Sequence, residues 1–409
     1  MDATDLAPSD PPPRPLVLAE NPESARSHFR SLLVQYELAR LRRLVERLGH
    51  PMPNSRGSVI VDSVIDRLES TELRRQLQDE LPRASRVALT LATLTEQVDW
   101  PLEGLRHSLR VMGIDTNEAL EPLLELGFVA ASPTALSQLG IAPAESITSD
   151  PIATGVPPSP AVLLLHPAVL ADAIWEHPAT PLPTPRREPR MIRESDGLEC
   201  LLRLAALWQR LAANPVRRTQ QGSLYKRDRD RLEEDSALAG PIADMIEPIP
   251  DLAMFWLTLG RAVGLVEELP DDDRLLATPA EFWTDNAVHL PTLLTQRWLG
   301  LRSHHELHGV QDETVPVLQG APFLRPALLL WLADAGPDDW FTLEDLAECL
   351  SNRAADWSRV ALNEPRLGDS PPPGRGRPPK AKAGSKTTAL PSDRVELLRA
   401  ILLGPAYQL

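Results

Sequence analysis

The chain reads as a mainly α-helical protein with short β-strands, divided into several small modules. Three observations predict this. Apolar residues recur at helical spacing over long stretches, as in Leu201 to Leu211 and Ala253 to Val263. Brief apolar runs too short for large sheets flank turn residues, as in Val263 to Glu268 and Arg274 to Ala277 around Pro270-Asp271-Asp272-Asp273. The 42 prolines are clustered between the periodic stretches, where they mark linkers. With 409 residues, 43% of them hydrophobic, the chain can build two to four domains at roughly 100–200 residues each.

The central module, residues 197–285, sets the pattern. Asn214-Pro215 stops the first apolar helix, because proline lacks an N–H and restricts the residue before it. Val216 to Thr219 forms a short strand, Gln221-Gly222 turns the chain, and Ser223 is placed to cap a second helix. A third, buried helix over Ala253 to Val263 and the strand–turn–strand follow. Helix, short strand, helix, helix, hairpin is the order of a winged helix. The fold class is therefore mainly α with short β-wings, as tandem winged-helix-like modules joined by Pro-rich linkers.

The same stretch carries a family resemblance. Thr219, Gly222 and Leu224-Tyr225-Lys226-Arg227-Asp228, together with Leu398-Arg399-Ala400-Ile401-Leu402-Leu403-Gly404-Pro405-Ala406-Tyr407, resemble segments of bacterial helicase-associated domain proteins, the accessory regions of XPB-like helicases. The resemblance runs from about Leu38 to the C-terminus, by order of elements more than by identity. It implies a DNA-related setting with a helicase as the protein partner, and it implies no reaction, since neither segment is catalytic.

Residues 1–28, rich in Pro, Asp and Ser, are expected to be a disordered tail. Residues 29–78 form a helical pair, with Leu38, Leu41, Leu44, Val45 and Leu48 on one helix and Val59, Ile60, Val64, Ile65 and Leu68 on the next. The pair is similar to a SAP module, a small DNA-binding helix pair, with Arg40, Arg42, Arg43, Arg47 and Arg56 as its cations. A plain helical hairpin with a wet arginine face is the equal alternative. Residues 79–180 hold another winged-helix-like domain: Val87 to Leu94 as a helix, Val98-Asp99-Trp100 extended, and a helix from Pro101 through Met112. Asn117 to Leu126 occupies the recognition position but carries Glu118, Glu121 and Glu125, which a phosphate-lined groove repels. Ala161 to Leu165 is a separate short buried element. Residues 181–196 are a basic linker with Arg186, Arg187, Arg190 and Arg193, solvated by expectation.

Residues 286–362 form a helical or winged-helix-like domain: a helix over Leu290 to Leu299, an apolar run from Pro326 to Ala333, a short strand at Trp340-Phe341, and an acidic helix capped by Thr342. Residues 363–392 are a disordered linker, and residues 393–409 begin a following domain that is cut short.

The net charge of −15 means that the whole molecule repels nucleic acid, so any DNA contact comes from local basic segments. The candidate residues are Arg40 and Arg43, then Arg217, Arg218, Lys226 and Arg227, then the linker run Arg375-Gly376-Arg377-Pro378 with Lys380 and Lys382. Arg-Gly-Arg-Pro matches the core of an AT-hook. An extended backbone without a Cβ at Gly376 can lie in the narrow, negative A·T minor groove, with an arginine to each side. With Lys386 the stretch from Gly374 holds five basic residues and no acid, and five contacts give a salt slope of about −4.5, at about −0.9 per phosphate. The alternative is a soluble spacer. Alternating charge along Lys226 to Glu234 fits salt bridges on an exposed helix as well as a phosphate track, and Tyr225 is expected to pack inside.

No catalytic constellation survives inspection. Gly384-Ser385-Lys386-Thr387 lacks the first glycine of a P-loop, and no Walker A box occurs. His304-His305-Glu306-Leu307-His308 has the wrong spacing for a zincin, so it is read as a His-rich surface helix end and no metal or cofactor is expected. Cys200 and Cys349, in separate modules, fit structural thiols of a reduced cytoplasm. No run of about 18 apolar residues suggests a membrane span. The expected function is a non-catalytic DNA-binding and protein-docking accessory region. A protein scaffold without DNA binding and a transcriptional regulator are the alternatives.

Overall fold

The structure, a computed structural model, describes residues 22–141, 160–172, 175–185, 189, 191–219, 222–242, 244–269, 273–310, 321–336, 338–362 and 391–409. It is mainly helical, with two three-stranded antiparallel sheets and one two-stranded sheet among the described residues.

Four helices open it: α1 (Pro22–Leu33), α2 (Leu38–Arg47), α3 (Gly57–Leu68) and α4 (Thr71–Asp79). The two helices expected from the periodicity are α2 and α3. Helix α1 also takes in residues 22–28, which composition alone assigns to the tail, because Phe29 and Leu33 bury fully against the body. Gly49, at φ +74°, ends α2. Its N–H donates to the carbonyl of Glu46 and that of His50 to Val45, which satisfies the last turn of the helix.

The first sheet-bearing unit runs α5 (Arg83–Thr95), β1 (Asp99–Pro101), α6 (Leu102–Val111), α7 (Thr116–Glu125), β2 (Val129–Ala131), α8 (Pro133–Gln138), β3 (Val162–Leu165) and α9 (Pro167–Ala171). Strand β3, read from the sequence as a separate element, is the middle strand of the order β1-β3-β2, with Trp100 opposite Leu163 and Ala130 opposite Leu164.

The second unit is similar but, among the described residues, has three helices between its first two strands and none between its last two: α10 (Leu198–Ala213), β4 (Val216–Arg217), α11 (Lys226–Glu233), α12 (Ser236–Ala239), α13 (Leu252–Ala262), β5 (Val266–Leu269) and β6 (Arg274–Ala277). Its sheet order is β4-β6-β5, so the last strand again lies in the middle. As expected, α10 stops at Asn214, whose backbone is extended. Ser223 is not the cap of α11. A bridge between Arg218 and Leu224 keeps the chain extended for two more residues, and Tyr225 takes the N-cap position.

The remainder is α14 (Glu281–Asn286), α15 (Leu290–Leu299), β7 (His304–His305), β8 (Gly309–Val310), α16 (Ala321–Leu332), α17 (Leu343–Arg353), α18 (Trp357–Ala361), α19 (Pro391–Leu403) and α20 (Pro405–Gln408). Thr342 caps α17 as expected, its hydroxyl accepting from the Asp345 N–H at 3.1 Å. Trp340-Phe341 is not a strand, although Trp340 makes a single β-bridge. Helices α19 and α20, expected to begin a following domain, pack on the body. Leu397, Leu398 and Ile401 are fully buried, the Cys200 thiol donates to the Gln408 carbonyl at 2.9 Å, and the Glu247 N–H donates to Leu403. The buried core is continuous from Phe29 to Ile401. Among the described residues no helix is long and apolar enough to cross a membrane.

Candidate nucleic-acid interface

In each sheet-bearing unit the helix before the second strand is the one that a DNA-reading module of this element order presents to a groove. Neither is available for that. In α13, Ala253, Met254, Phe255, Trp256, Leu257, Leu259 and Gly260 are all buried, so the helix is enclosed on every side. It packs among α10, α11, α15, β5 and β8. Its one cation, Arg261, pairs with Glu268 at 3.0 Å.

Helix α7 buries Ala119, Leu120, Leu123 and Leu124 against α5 and α2 and exposes Glu118, Glu121 and Glu125. Helix α2 buries Leu41, Leu44 and Val45, which places Arg40, Arg43 and Arg47 on one stripe facing α7. The two helices line a cleft of about 540 Å³ floored by Leu44, Leu124 and Ile141, with arginines on one wall and Glu121 and Glu125 on the other. Arg47 bridges to Glu125 at 3.3 Å. The Arg40 guanidinium lies 4.9 Å over the Tyr36 ring, whose hydroxyl accepts from the Ala131 N–H of edge strand β2 at 2.8 Å. Arg40 and Arg43 thus sit beside carboxylates that a polyanion must also approach.

The link from β4 to α11 separates the remaining candidates. Arg218 is buried, 6% exposed. Its Nε donates to the Gly222 carbonyl at 2.6 Å and its guanidinium is paired with Glu268. It is therefore a clamp on its own loop, not a phosphate contact, because its charge is already spent inside the protein. The loop is tight: the Gly222 N–H donates to Thr219, the Thr219 N–H to Ser223, and Gly222 has φ +87°. The Tyr225 N–H then donates to the Arg217 carbonyl at 3.1 Å, bringing the chain back beside β4. The clasp presents Arg217, Tyr225, Lys226 and Arg227, all exposed. Tyr225, expected inside, is 52% exposed. Downstream, Arg229 pairs with Glu233 at 2.6 Å and Arg231 with Asp228 at 3.7 Å, the exposed-helix salt bridges that the charge alternation suggests.

Arg375, Gly376, Arg377, Pro378, Lys380 and Lys382 lie outside the described residues, as do Arg186, Arg187 and Arg190 of the connector. The described start of that connector lies on the body and is not a free spacer. Pro183 is buried, and Arg353 donates to the Pro181 carbonyl at 2.6 Å.

The His-rich run is not a surface helix end either. His304 and His305 form β7 and are buried, and His305 stacks on His308 with centroids 4.6 Å apart. Glu306 is enclosed with Arg325, its Oε1 accepting from Nε at 2.5 Å. Among the described residues no group of three His, Cys, Asp or Glu is arranged to hold a metal ion. Burial, with Glu199 beside it, pushes the Cys200 thiol up to about 12, which leaves it a structural group. No protein family, curated protein or solved structure matches the chain.

Proposed function

We propose that the chain is a non-catalytic accessory module built on tandem winged-helix-like units, which docks protein partners and holds DNA weakly through basic segments outside its recognition-position helices. The similar helix–strand–helices–strand order and the repeated sheet order, with the last strand central in both sheets, support the winged-helix reading. The observation that carries the functional reading is the withdrawal of both recognition-position helices: α13 is enclosed and α7 is acidic and half-covered by α2. Such units work by packing on protein. Among the candidate cations, Arg217, Lys226 and Arg227 are exposed and in no ion pair among the described residues, and by sequence the Arg375 to Lys382 run joins them. The similarity to helicase-associated proteins makes a helicase the partner this reading favours. A scaffold with no DNA contact is the second reading, favoured by the same acidic and enclosed helices.

Fluorescence anisotropy with a labelled random duplex decides between them. Binding should be weak, in the non-specific range of about 10⁻⁴–10⁻⁶ M, and should fall steeply between about 50 and 200 mM salt. Replacing Arg217, Lys226 and Arg227 by Gln should lower the magnitude of the log–log salt slope by about 2 to 3. Absence of binding at low salt selects the scaffold, and tight, salt-insensitive binding refutes both.

A further inference from the structure

We infer that the clasp between β4 and α11 is a binding site for single-stranded nucleic acid, in which a base stacks on Tyr225 while neighbouring phosphates meet Arg217, Lys226 and Arg227. The inference rests on the proposed weak DNA binding and names its substrate form and its contact residues.

An aromatic ring is half exposed there: Tyr225 is 52% exposed, whereas Tyr36 is 7% exposed and hydrogen-bonded. The ring stands at the N-cap of α11, held by main-chain bonds, since its N–H donates to Arg217 and its carbonyl accepts from Asp228 and Arg229. A platform fixed by backbone loses little freedom when a base lands on it. Three exposed cations surround it, and among the described residues none of the three is in an ion pair. The acid that follows the cations in the chain is engaged. Asp228 accepts from the Arg217 N–H at 3.0 Å and lies 3.7 Å from Arg231.

The chemistry selects a single strand over the alternatives. One exposed ring ringed by cations matches a stacking platform on a phosphate track. A protein partner requires a broader apolar patch, and here Leu232 is buried and Ser223 exposed. A duplex keeps its base faces stacked. Lying across the sheet, it also meets exposed Glu267 on β5, two strands from β4 and so roughly 10 Å away at the usual strand spacing. A single strand can follow the β4 edge past exposed Asp273 and avoid β5.

The test uses the full chain and labelled oligo-dT, oligo-rU and the random duplex, each of about 15 nucleotides or base pairs, within the site size of single-strand binders. Oligo-dT should bind more tightly than the duplex. Tyr225→Ala should weaken it about tenfold, while Tyr225→Phe, which keeps the ring face, should retain it. Combined Arg217→Ala, Lys226→Ala and Arg227→Ala should lower the magnitude of the salt slope by about 2, at about 0.7 per single-strand phosphate. Tighter binding of oligo-rU than oligo-dT assigns the site to RNA. Unchanged oligo-dT affinity in Tyr225→Ala, or equal loss in Tyr225→Phe, overturns the inference. Salt-dependent duplex binding without oligo-dT binding removes the inference and leaves the proposed function standing. Loss of both removes both.

Discussion

Arg325 holds its charge where it is 0% exposed, and what surrounds it explains why. Its Nη1 donates to the carbonyls of Trp298 and Leu301 at 2.8 and 2.6 Å, and its Nη2 to that of His304 at 2.7 Å. The first two lie at and just beyond the end of α15, where the Trp298 carbonyl also accepts from the Leu301 N–H, and the third lies in β7. Glu306 supplies the countercharge. Burial alone would raise its carboxyl, but the Arg325 guanidinium holds it below the usual carboxylate range. Arg325→Met leaves that carboxylate enclosed without its countercharge and takes the guanidinium donors from three carbonyls. It should lower stability by about 3–5 kcal/mol in urea denaturation, and adding Glu306→Leu should restore part of the loss. The sequence does not advertise this arrangement. His304 to His308 resembles a metal lure, and the partner that explains Glu306 sits 19 residues away inside the apolar run from Phe323 to Leu330. Tyr225 was missed for a related reason: an aromatic next to an amphipathic helix usually packs, and only the bridge between Arg218 and Leu224 turns this one outward.

Among the elements, α6 and α16 approach most closely at Gly104. A Cβ there would stand 2.3 Å from the ring of Phe323, which is only 2% exposed and has no open side to move into. The Ser108 hydroxyl fixes the same seam by donating to the Phe323 carbonyl at 2.5 Å. Gly104→Ala should therefore destabilise by about 1–3 kcal/mol through overpacking, and Phe323→Leu in the same chain should recover part of it, both read from thermal melts. Elements of this kind were largely legible. The periodicity located α2, α3, α5, α6, α7, α10, α13 and α15, because each buries one or more faces of a regular helix. What sequence could not supply was partnership across distance. Strand β3 lies about thirty residues beyond β2, yet it is the strand that both others need. The acidic character of α7 was plain, whereas its cover by the arginine stripe of α2 follows only from how the N-terminal helices fold back.

On the scale of the molecule, buried histidines lie in three places along the continuous core. His107 is 2% exposed, His166 0% and His304 1%. Each is lowered to about 4, with burial as the main cause. Arg110 adds to it for His107, and Arg74 and Arg26 for His166; at His304, Glu306 opposes the effect and Arg325 adds to it. Since the unfolded chain titrates near 6.5, their contribution is complete above that pH and is lost as pH falls toward 4. Each should remove about 2 kcal/mol by pH 5, so urea midpoints should drop steeply between about pH 6.5 and 4. His107→Leu should flatten that slope by about one proton's worth. The net charge of −15 leaves the folded body a poor partner for a polyanion except where cations stand uncommitted.

The closure of α10 by α20 has an outcome in time. The thiol of Cys200 meets the carbonyl of Gln408, 208 positions later, and Gly197 lies against the same residue. During synthesis, segments near the start can settle as they emerge from the ribosome. The middle of this protein is different: its first helix waits with one flank bare until nearly two hundred further codons have been read.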